Sequence, residues 1–494
     1  TLLIALDQVP ELMPSEAARQ LLNDSDTLQR LRASDLVDYP AVADFKLQVL
    51  ETLFKAFLAG PPTTPTRVAF ERFRKASGDA LEHHAHFEAI GDFLATSGSP
   101  RTAWQDWPEA LRSPTSPEVK AFAVQHDERV TFFAWLQWLA DHQLERAQST
   151  ATAAGGALGL YLDLAVGAAP DGAEAWSDQD VLVADVRIGA PPDDFNPAGQ
   201  DWGLLPLSPT TLQARAYRPF IQLLRRNMRH AGALRIDHVL GLARSFWQPA
   251  DKSAPGAYIR YPMEDLLGIV ALESWRQRCV VIGEDLGTVP RELRSALDRR
   301  GLLGCRLLYF EREDDGTFKP AANYPKASIT STGTHDLPTL SGFWEGRDIK
   351  VREDLGLITN PEQARSERAT RQATRQALLK LLADEALLPP NVSPEDPPET
   401  LTWQLVLAFH TFLGRTPATL RIVQLEDAVG ARDQANLPGT VDEYPNWRRK
   451  VGHDLEHLTL DERLSLLLKA VSRANPPRAE RTGEPRHNES GDDT

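Results

Sequence analysis

Ala233-Leu234-Arg235-Ile236-Asp237-His238-Val239-Leu240-Gly241-Leu242 is the stretch that decides the fold. Ala233, Leu234 and Ile236 are the apolar positions of a short buried strand, and Gly232 and Gly241 punctuate its ends. Side chains alternate along a strand, so Arg235 and Asp237 point to one face and Leu234 and Ile236 to the other. An Arg and an Asp on an otherwise buried face are costly unless they pair or serve a purpose. The guanidinium would hold Asp237 ionised and depress its pKa, as a carboxylate nucleophile requires at neutral pH. On this decapeptide alone, a structural ion pair at a strand end is the alternative reading.

Outward from this strand, the chain from residue 155 on alternates short apolar runs with helical stretches. "ALGLYLDLAVG" (157–167) carries Asp163, "CVVIGED" (279–285) follows a helix near 264–278, and "GCRLLYF" (304–310) follows another near 290–300. "ASITSTGTHD" (327–336) and "ATLRIVQLED" (418–427) complete six strands, the last after helices at 361–387 and 400–413. Strands alternating with helices predict a parallel sheet covered on both faces. Asp237, Glu284 and Asp336 each stand at the C-terminal end of a predicted strand, the arrangement of a (β/α)8 TIM-type barrel. A doubly wound sheet would gather residues at one crevice, and no Gly-x-Gly-x-x-Gly or P-loop sequence follows a strand. A barrel needs eight strands, so one or two more should lie before residue 10 or be missing from this chain.

Three such carboxylates allow two chemistries. Retaining glycoside transfer needs an ionised nucleophile and a protonated acid across the scissile bond. Asp237 beside Arg235 suits the first, and Glu284, with no adjacent basic residue, suits a raised pKa and acid/base work. Alternatively the carboxylates would hold Mg²⁺ in the manner of enolase-type barrels, but no Lys base is well placed. Trp202, Phe246, Trp247, Tyr258 and Trp344 fall in loops near these strands; their rings could cover sugar faces, or simply pack.

Composition agrees with a soluble globular protein: 494 residues, 42% hydrophobic and 25% charged. A net charge of −15 argues against a nucleic-acid partner. No apolar run is long enough to span a bilayer and no signal-peptide pattern opens the chain. Cys279 and Cys305 lie in apolar strand-like runs and read as reduced core residues, which implies a cytoplasmic location. Residues 35–150 read as helical, in stretches 38–60, 66–98 (weakened by Gly78) and 116–148, whose Phe132, Trp135, Leu136 and Leu139 form a core stripe. His83, His84 and His86 read as a solvated helix face rather than a metal tract. No cofactor is expected.

"ALRIDHVLGL", "VIGEDLGTVP" (281–290) and "GTHDLPTLSGFWE" (333–345), in this order, closely resemble the 4-α-glucanotransferases, also called amylomaltases or disproportionating enzymes. "GAPPDDFNPAGQDWG" (189–203) and "NLPGTVDEYPNWRRK" (436–450) resemble two further motifs of that family. The resemblance covers roughly residues 1–470 and makes the 35–150 block the family's insertion between early barrel strands. It implies Asp237 as the nucleophile that forms a glycosyl-enzyme, Glu284 as general acid/base, and Asp336 as the third carboxylate, binding sugar hydroxyls and favouring the oxocarbenium-like state. It further implies that Arg235 orients Asp237 and that His238 and His335 contact the sugar. Asp163 matches the acidic residue of the third barrel strand, Gln200 and Trp202 the loop over the acceptor side, and Asn446 and Trp447 the C-terminal motif. Maltooligosaccharides or other α-1,4-glucans are the implied partners.

Two features depart from the family. Its usual opening, a strand, a helix, a second strand and a Ser-Pro-Tyr loop, is not found here, and Thr1-Leu2-Leu3-Ile4 matches the chain just after that loop, which accounts for the absent strands. An open remnant would expose sheet edges. Leu205, in "DWGLLPLSP", stands where relatives usually carry another residue. The expected organisation is one barrel-based catalytic domain over 1–472, N-terminally incomplete, and a disordered tail over 473–494. An amylase-like hydrolase and a non-catalytic maltodextrin-binding barrel are the rival functions.

Overall fold

The computed structural model describes residues 2–23, 25–97, 103–192, 199–287 and 289–473, so the tail expected to be disordered lies, from residue 474 on, outside the described residues. The described residues form two compact units, one of those within 2–305 together with 437–450, the other of those within 306–436 together with 451–473.

The first unit opens with helices at Glu16–Leu22, Ser25–Ala33, Tyr39–Ala59, Pro65–Ser77, Asp79–Thr96, Pro117–Gln125 and Asp127–Ala153. Three of them begin with the same signal, a side-chain cap followed by proline in the first turn. Asp38 accepts from Ala41 N, Thr64 from Arg67 N and Ser116 from Val119 N. The expected run 66–98 breaks at Gly78, which takes φ +58°, and the run 116–148 breaks at His126. Trp135, Phe132, Phe70, Leu50 and Leu53 are fully buried between these helices. His83, His84 and His86 are half-buried rather than solvated; His83 meets Trp176 edge-on at 6.3 Å, and burial in turn lowers the pKa of His84 and His86. Residues before 10 hold no strand among those described. Leu6–Gln8 is a 3-10 turn, and Ile4, Leu6, Val9 and Leu12 join the helical core.

The strands follow: β1 (Tyr161–Leu164), β2 (Val186–Ala190), β3 (Gln200–Asp201), β4 (Ala233–Ile236), β5 (Arg244–Pro249), β6 (Ala257–Arg260), β7 (Val280–Gly283), β8 (Leu303–Leu307), β9 (Ser328–Ser331) and β10 (Leu420–Arg421). Every one of the six strands expected after residue 155 is present, though shorter than its apolar run. In the first unit β1, β4, β7 and β8 pair in that order and in parallel. Helices Arg218–Met228, Met263–Gln277 and Arg291–Arg299 connect them. Leu234, Ile236 and Val281 of the sheet share a core with Leu224, Leu267 and Leu297 of those helices. This α/β alternation is the predicted one.

The antiparallel sheet β3-β2-β5-β6 was not expected. Phe246 and Trp247 lie on β5 and Tyr258 on β6, not in loops. Gly241, Pro249, Ser253, Pro255 and Gly256 break up this region, so its strands read as loop.

In the second unit β9 and β10 pair in parallel, and Leu308, just beyond β8, donates its amide to Ser331 O at 3.0 Å. Helices Pro361–Asp384 and Trp403–Arg415 bury Leu378, Leu382, Phe409 and Phe412 around Trp344, which is fully buried and therefore packs the core instead of lining a loop. No helix among the described residues is long and apolar enough to cross a membrane.

Candidate active site

The site of the first unit starts from a glycine. A Cβ on Gly232 would fall 1.6 Å from Leu158 O, so only glycine lets β4 enter beside residues 158–160. Leu160 O there accepts from the amides of both Gly232 and Ala233, at 2.9 and 3.1 Å. The register that follows aligns Asp163 on β1 with Arg235 on β4 and Ile282 on β7, and Leu164 with Ile236 and Gly283. Asp237 and Glu284 are then the next residues after a paired Ile236 and Gly283. Their amides close the ladder, Asp237 N onto Leu164 O and Glu284 N onto Ile236 O, each at 3.0 Å. Two carboxylates thus leave adjacent parallel strands at the same C-terminal level.

Arg235, 8% exposed, bridges the acids on either side of it. Its Nη1 lies 2.8 Å from both oxygens of Asp163, and its Nη2 lies 2.7 Å from Asp237 Oδ1. Burial works against its charge, but Asp237 and Asp163 outweigh that and hold the guanidinium above its ordinary range.

Glu284 is held differently. His238, in the left-handed region at φ 45°, turns its amide onto Glu284 Oε2 at 2.9 Å, and Leu286 N reaches Oε1 at 2.7 Å. Burial pushes the Glu284 carboxyl above the usual carboxylate range; the Leu286 amide and Arg235 pull it down, and Asp237 pushes it up. Each oxygen has a second lone pair, so a proton can be carried without breaking either bond. A non-glycine residue in the left-handed region costs on the order of 1 kcal/mol, held here by what the turn aligns.

The His238 ring is pushed toward its neutral form by burial, against the pull of Asp237. It meets Trp202 edge-on at 5.0 Å, and Trp202 Nε1 donates to Gln200 Oε1 at 3.0 Å. Gln248 of β5 fixes Gln200 by donating to its backbone oxygen at 2.9 Å, so the small antiparallel sheet carries Gln200 and Trp202 to His238. Asp163, Gln200, Trp202, Arg235, Asp237, His238 and Glu284 therefore converge as one group.

Asp336 and His335 belong to the second unit, in the loop beyond β9. His335 Nε2 lies 3.1 Å from Asp336 Oδ2, and Asn436 Nδ2 donates to Asp336 Oδ1 at 2.7 Å. The Asn436 amide also donates to His335 O at 3.2 Å. Sequence reasoning passed over Asn436, although it opens a quoted motif; its partner lies 100 positions away in the chain. Asn446 of the first unit commits its side chain to its own loop. Oδ1 accepts from Leu437 N at 2.8 Å, and Nδ2 donates to Thr440 Oγ1 at 2.9 Å.

A family profile described as 4-alpha-glucanotransferase, glycoside hydrolase 77, matches residues 1–455. The chain belongs to the 4-α-glucanotransferase family. The chain is 40% identical over 487 residues to the 4-alpha-glucanotransferase of Mycobacterium tuberculosis, which takes in 96% of the chain and 64% of the relative. It is 36% identical to that of Haemophilus influenzae, over 90% of the chain and 64% of the relative. Its fold is similar to the crystal structure of amylomaltase from Corynebacterium glutamicum, with TM-score 0.82, 32% identity and coverage of 96% of this chain and 66% of that one. A Streptococcus agalactiae amylomaltase in complex with acarbose shares the fold at TM-score 0.74 and 20% identity, over 96% of this chain and 86% of that one. This 4-α-glucanotransferase-family chain spans just under two thirds of the length of the curated relatives it matches.

Proposed function

We propose that the protein is a retaining 4-α-glucanotransferase that moves α-1,4-glucan segments between maltooligosaccharides through a covalent glycosyl-enzyme. The observation that carries this reading is the opposed treatment of two neighbouring strand-end carboxylates. Asp237 is ion-paired with a buried Arg235, while Glu284 is pushed toward its protonated form by burial. The Asp237 carboxylate attacks the anomeric carbon as the Glu284 proton passes to the departing glycosidic oxygen. The same Glu284 then takes the proton of the acceptor hydroxyl that displaces Asp237. Asp336 serves this reaction as the third carboxylate, binding sugar hydroxyls with His335. Gln200 and Trp202 receive the acceptor side, His238 contacts the sugar, Asn446 shapes the loop of the C-terminal motif, and Arg235 with Asp163 holds the nucleophile. No cofactor enters these steps. The setting proposed is the cytoplasm, without nucleic-acid or membrane partners, and the burial of Cys279 and Cys305 as thiols accords with it.

Incubation with maltotriose tests the reading. Free glucose together with maltodextrins longer than the substrate is expected. Glucose and maltose alone would make the protein a hydrolase, and binding without turnover would make it a glucan-binding barrel.

A further inference from the structure

The second unit buries a constellation that the proposed chemistry does not use. Thr332 and His410 are fully buried and Asp427 is 2% exposed. A carboxyl at that depth is costly unless both oxygens are engaged, and these are. Thr332 Oγ1 lies 2.7 Å from Asp427 Oδ2, and the Leu340 amide donates to Oδ1 at 3.1 Å. Those two partners are the two ends of one loop. Thr332 follows directly on β9, Leu340 opens the helix Leu340–Glu345, and between them run residues 333–339 with His335 and Asp336. Thr339 is held from the same turn, because its hydroxyl donates to Ala431 O at 2.6 Å and Ala431 N donates to Glu426 O at 2.9 Å.

We propose that Asp427 is a positioning residue for Asp336: a single buried carboxyl clamps both ends of the loop 333–339 and so fixes how Asp336 and His335 are presented. The inference rests on the reading of Asp336 as a participant in glucan transfer.

The hydrogen count around the clamp says which substitution preserves it. Thr332 has one hydroxyl proton and two acceptors in reach, Gln424 Oε1 at 3.0 Å and Asp427 Oδ2 at 2.7 Å. His410 Nδ1 lies 2.8 Å from Val406 O, which places a proton on that nitrogen, and its Nε2 lies 3.5 Å from Asp427 Oδ2. An uncharged Asp427 supplies both contacts of Thr332: its acid proton goes to Thr332 Oγ1, and the Thr332 proton goes to Gln424, while His410 Nε2 makes no hydrogen bond. Burial pushes Asp427 up in the same direction, against the pull of His410 and Thr332. Asparagine then mimics the native group, with an oxygen for the Leu340 amide and an N–H for Thr332.

Asp427→Ala, Asp427→Asn and Thr332→Val would be measured for kcat and KM on maltotriose and for amide hydrogen exchange across 333–340. Asp427→Ala is expected to lower kcat about tenfold or more with KM within about twofold, and to speed exchange at Leu340 and in the loop. Asp427→Asn should recover most of both, and Thr332→Val, which removes one end of the clamp, should fall between them. If the alanine variant does not fold, the other two variants carry the comparison. Wild-type kcat with unchanged loop exchange in a folded Asp427→Ala or Thr332→Val protein overturns the proposal. So does an asparagine variant no better than alanine. Asp336→Asn is the separate control: full activity there overturns the role of Asp336, while the exchange data still decide whether Asp427 clamps the loop.

Discussion

Asp237 and Glu284 leave adjacent parallel strands whose backbone register sets their level, whereas Asp336 stands on a loop beyond β9 whose shape is set by side chains. In the first region the ladder bonds Asp237 N to Leu164 O and Glu284 N to Ile236 O before any side chain acts. Arg235 then pairs with Asp237, two backbone amides hold the Glu284 oxygens, and burial raises the Glu284 pKa. In the second region the anchors are Asn436 on the Asp336 carboxylate and Asp427 on the loop ends. A site built on strands tolerates change in its loops and fails when the register fails. A site built on a loop fails one side chain at a time.

The largest expected effect belongs to the first region. Asp237→Asn should fold and still bind glucan but lose at least about a thousandfold in kcat, because an amide cannot attack the anomeric carbon. A purified variant that keeps a tenth or so of wild-type turnover would remove Asp237 from the role of nucleophile.

Glu284→Gln comes next and divides by substrate. A glycosyl fluoride needs no proton on its leaving group, so the variant should be crippled on maltodextrins yet still form the covalent intermediate from the fluoride. With no base for the second step the intermediate should accumulate and appear as added mass on the intact protein, and azide should release it. Because burial raises the Glu284 pKa, its acid form persists above the usual carboxylate range. Wild-type kcat/KM should therefore fall as pH rises through that shifted value, and the variant's profile should lack this limb. Equal loss on both donors in a folded, glucan-binding variant would reject the acid/base role.

The two regions also differ in how much of them could be read from the sequence. Strand alternation around Arg235 and Asp237 needs only a period of two, so their pairing and the strand-end place of Glu284 were legible without any fold in hand. The six parallel strands were legible for the same reason, as apolar runs between helical stretches. The sheet of β2, β3, β5 and β6 was not, because Gly and Pro at its turns mask strands whose partners lie far along the chain, Val186 against Pro249 for example. Asn436 and Asp427 were invisible as site residues on the same ground: Asp427 meets Thr332 across 95 positions. The helical block was legible as helix, but Gly78 and His126 cut it where periodicity ran through.

A third substitution attacks the register itself. Gly232→Ala brings a Cβ against Leu158 O, a backbone atom that cannot step aside without moving β1 or β4. A loss of roughly 3 kcal/mol of stability is expected, read as a lower midpoint in denaturant. Activity should fall in the same variant, since Asp163, Arg235 and Asp237 share that register. Native stability in Gly232→Ala would show that the strand ends are held by something other than the ladder.

The smallest effect is expected in the second region. Asn436→Ala removes the hydrogen bond on Asp336 Oδ1 and leaves the backbone bond from Asn436 N to His335 O in place. Asp336 also keeps His335 at 3.1 Å, and its carboxylate is partly open to water, which can replace the lost donor. The variant should therefore fold with unchanged stability and lose about threefold to tenfold in kcat, with KM little altered, as a carboxylate that samples more orientations stabilises the transition state less. Asn436→Asp sharpens the point. It keeps the size but places two carboxylates against each other, and at neutral pH it should cost more than alanine does. The excess should shrink as the pH is lowered and one of the pair takes up a proton. If alanine and aspartate variants are indistinguishable across pH, Asn436 does not orient Asp336 through this bond, and the loop clamp alone would have to account for the geometry of the region.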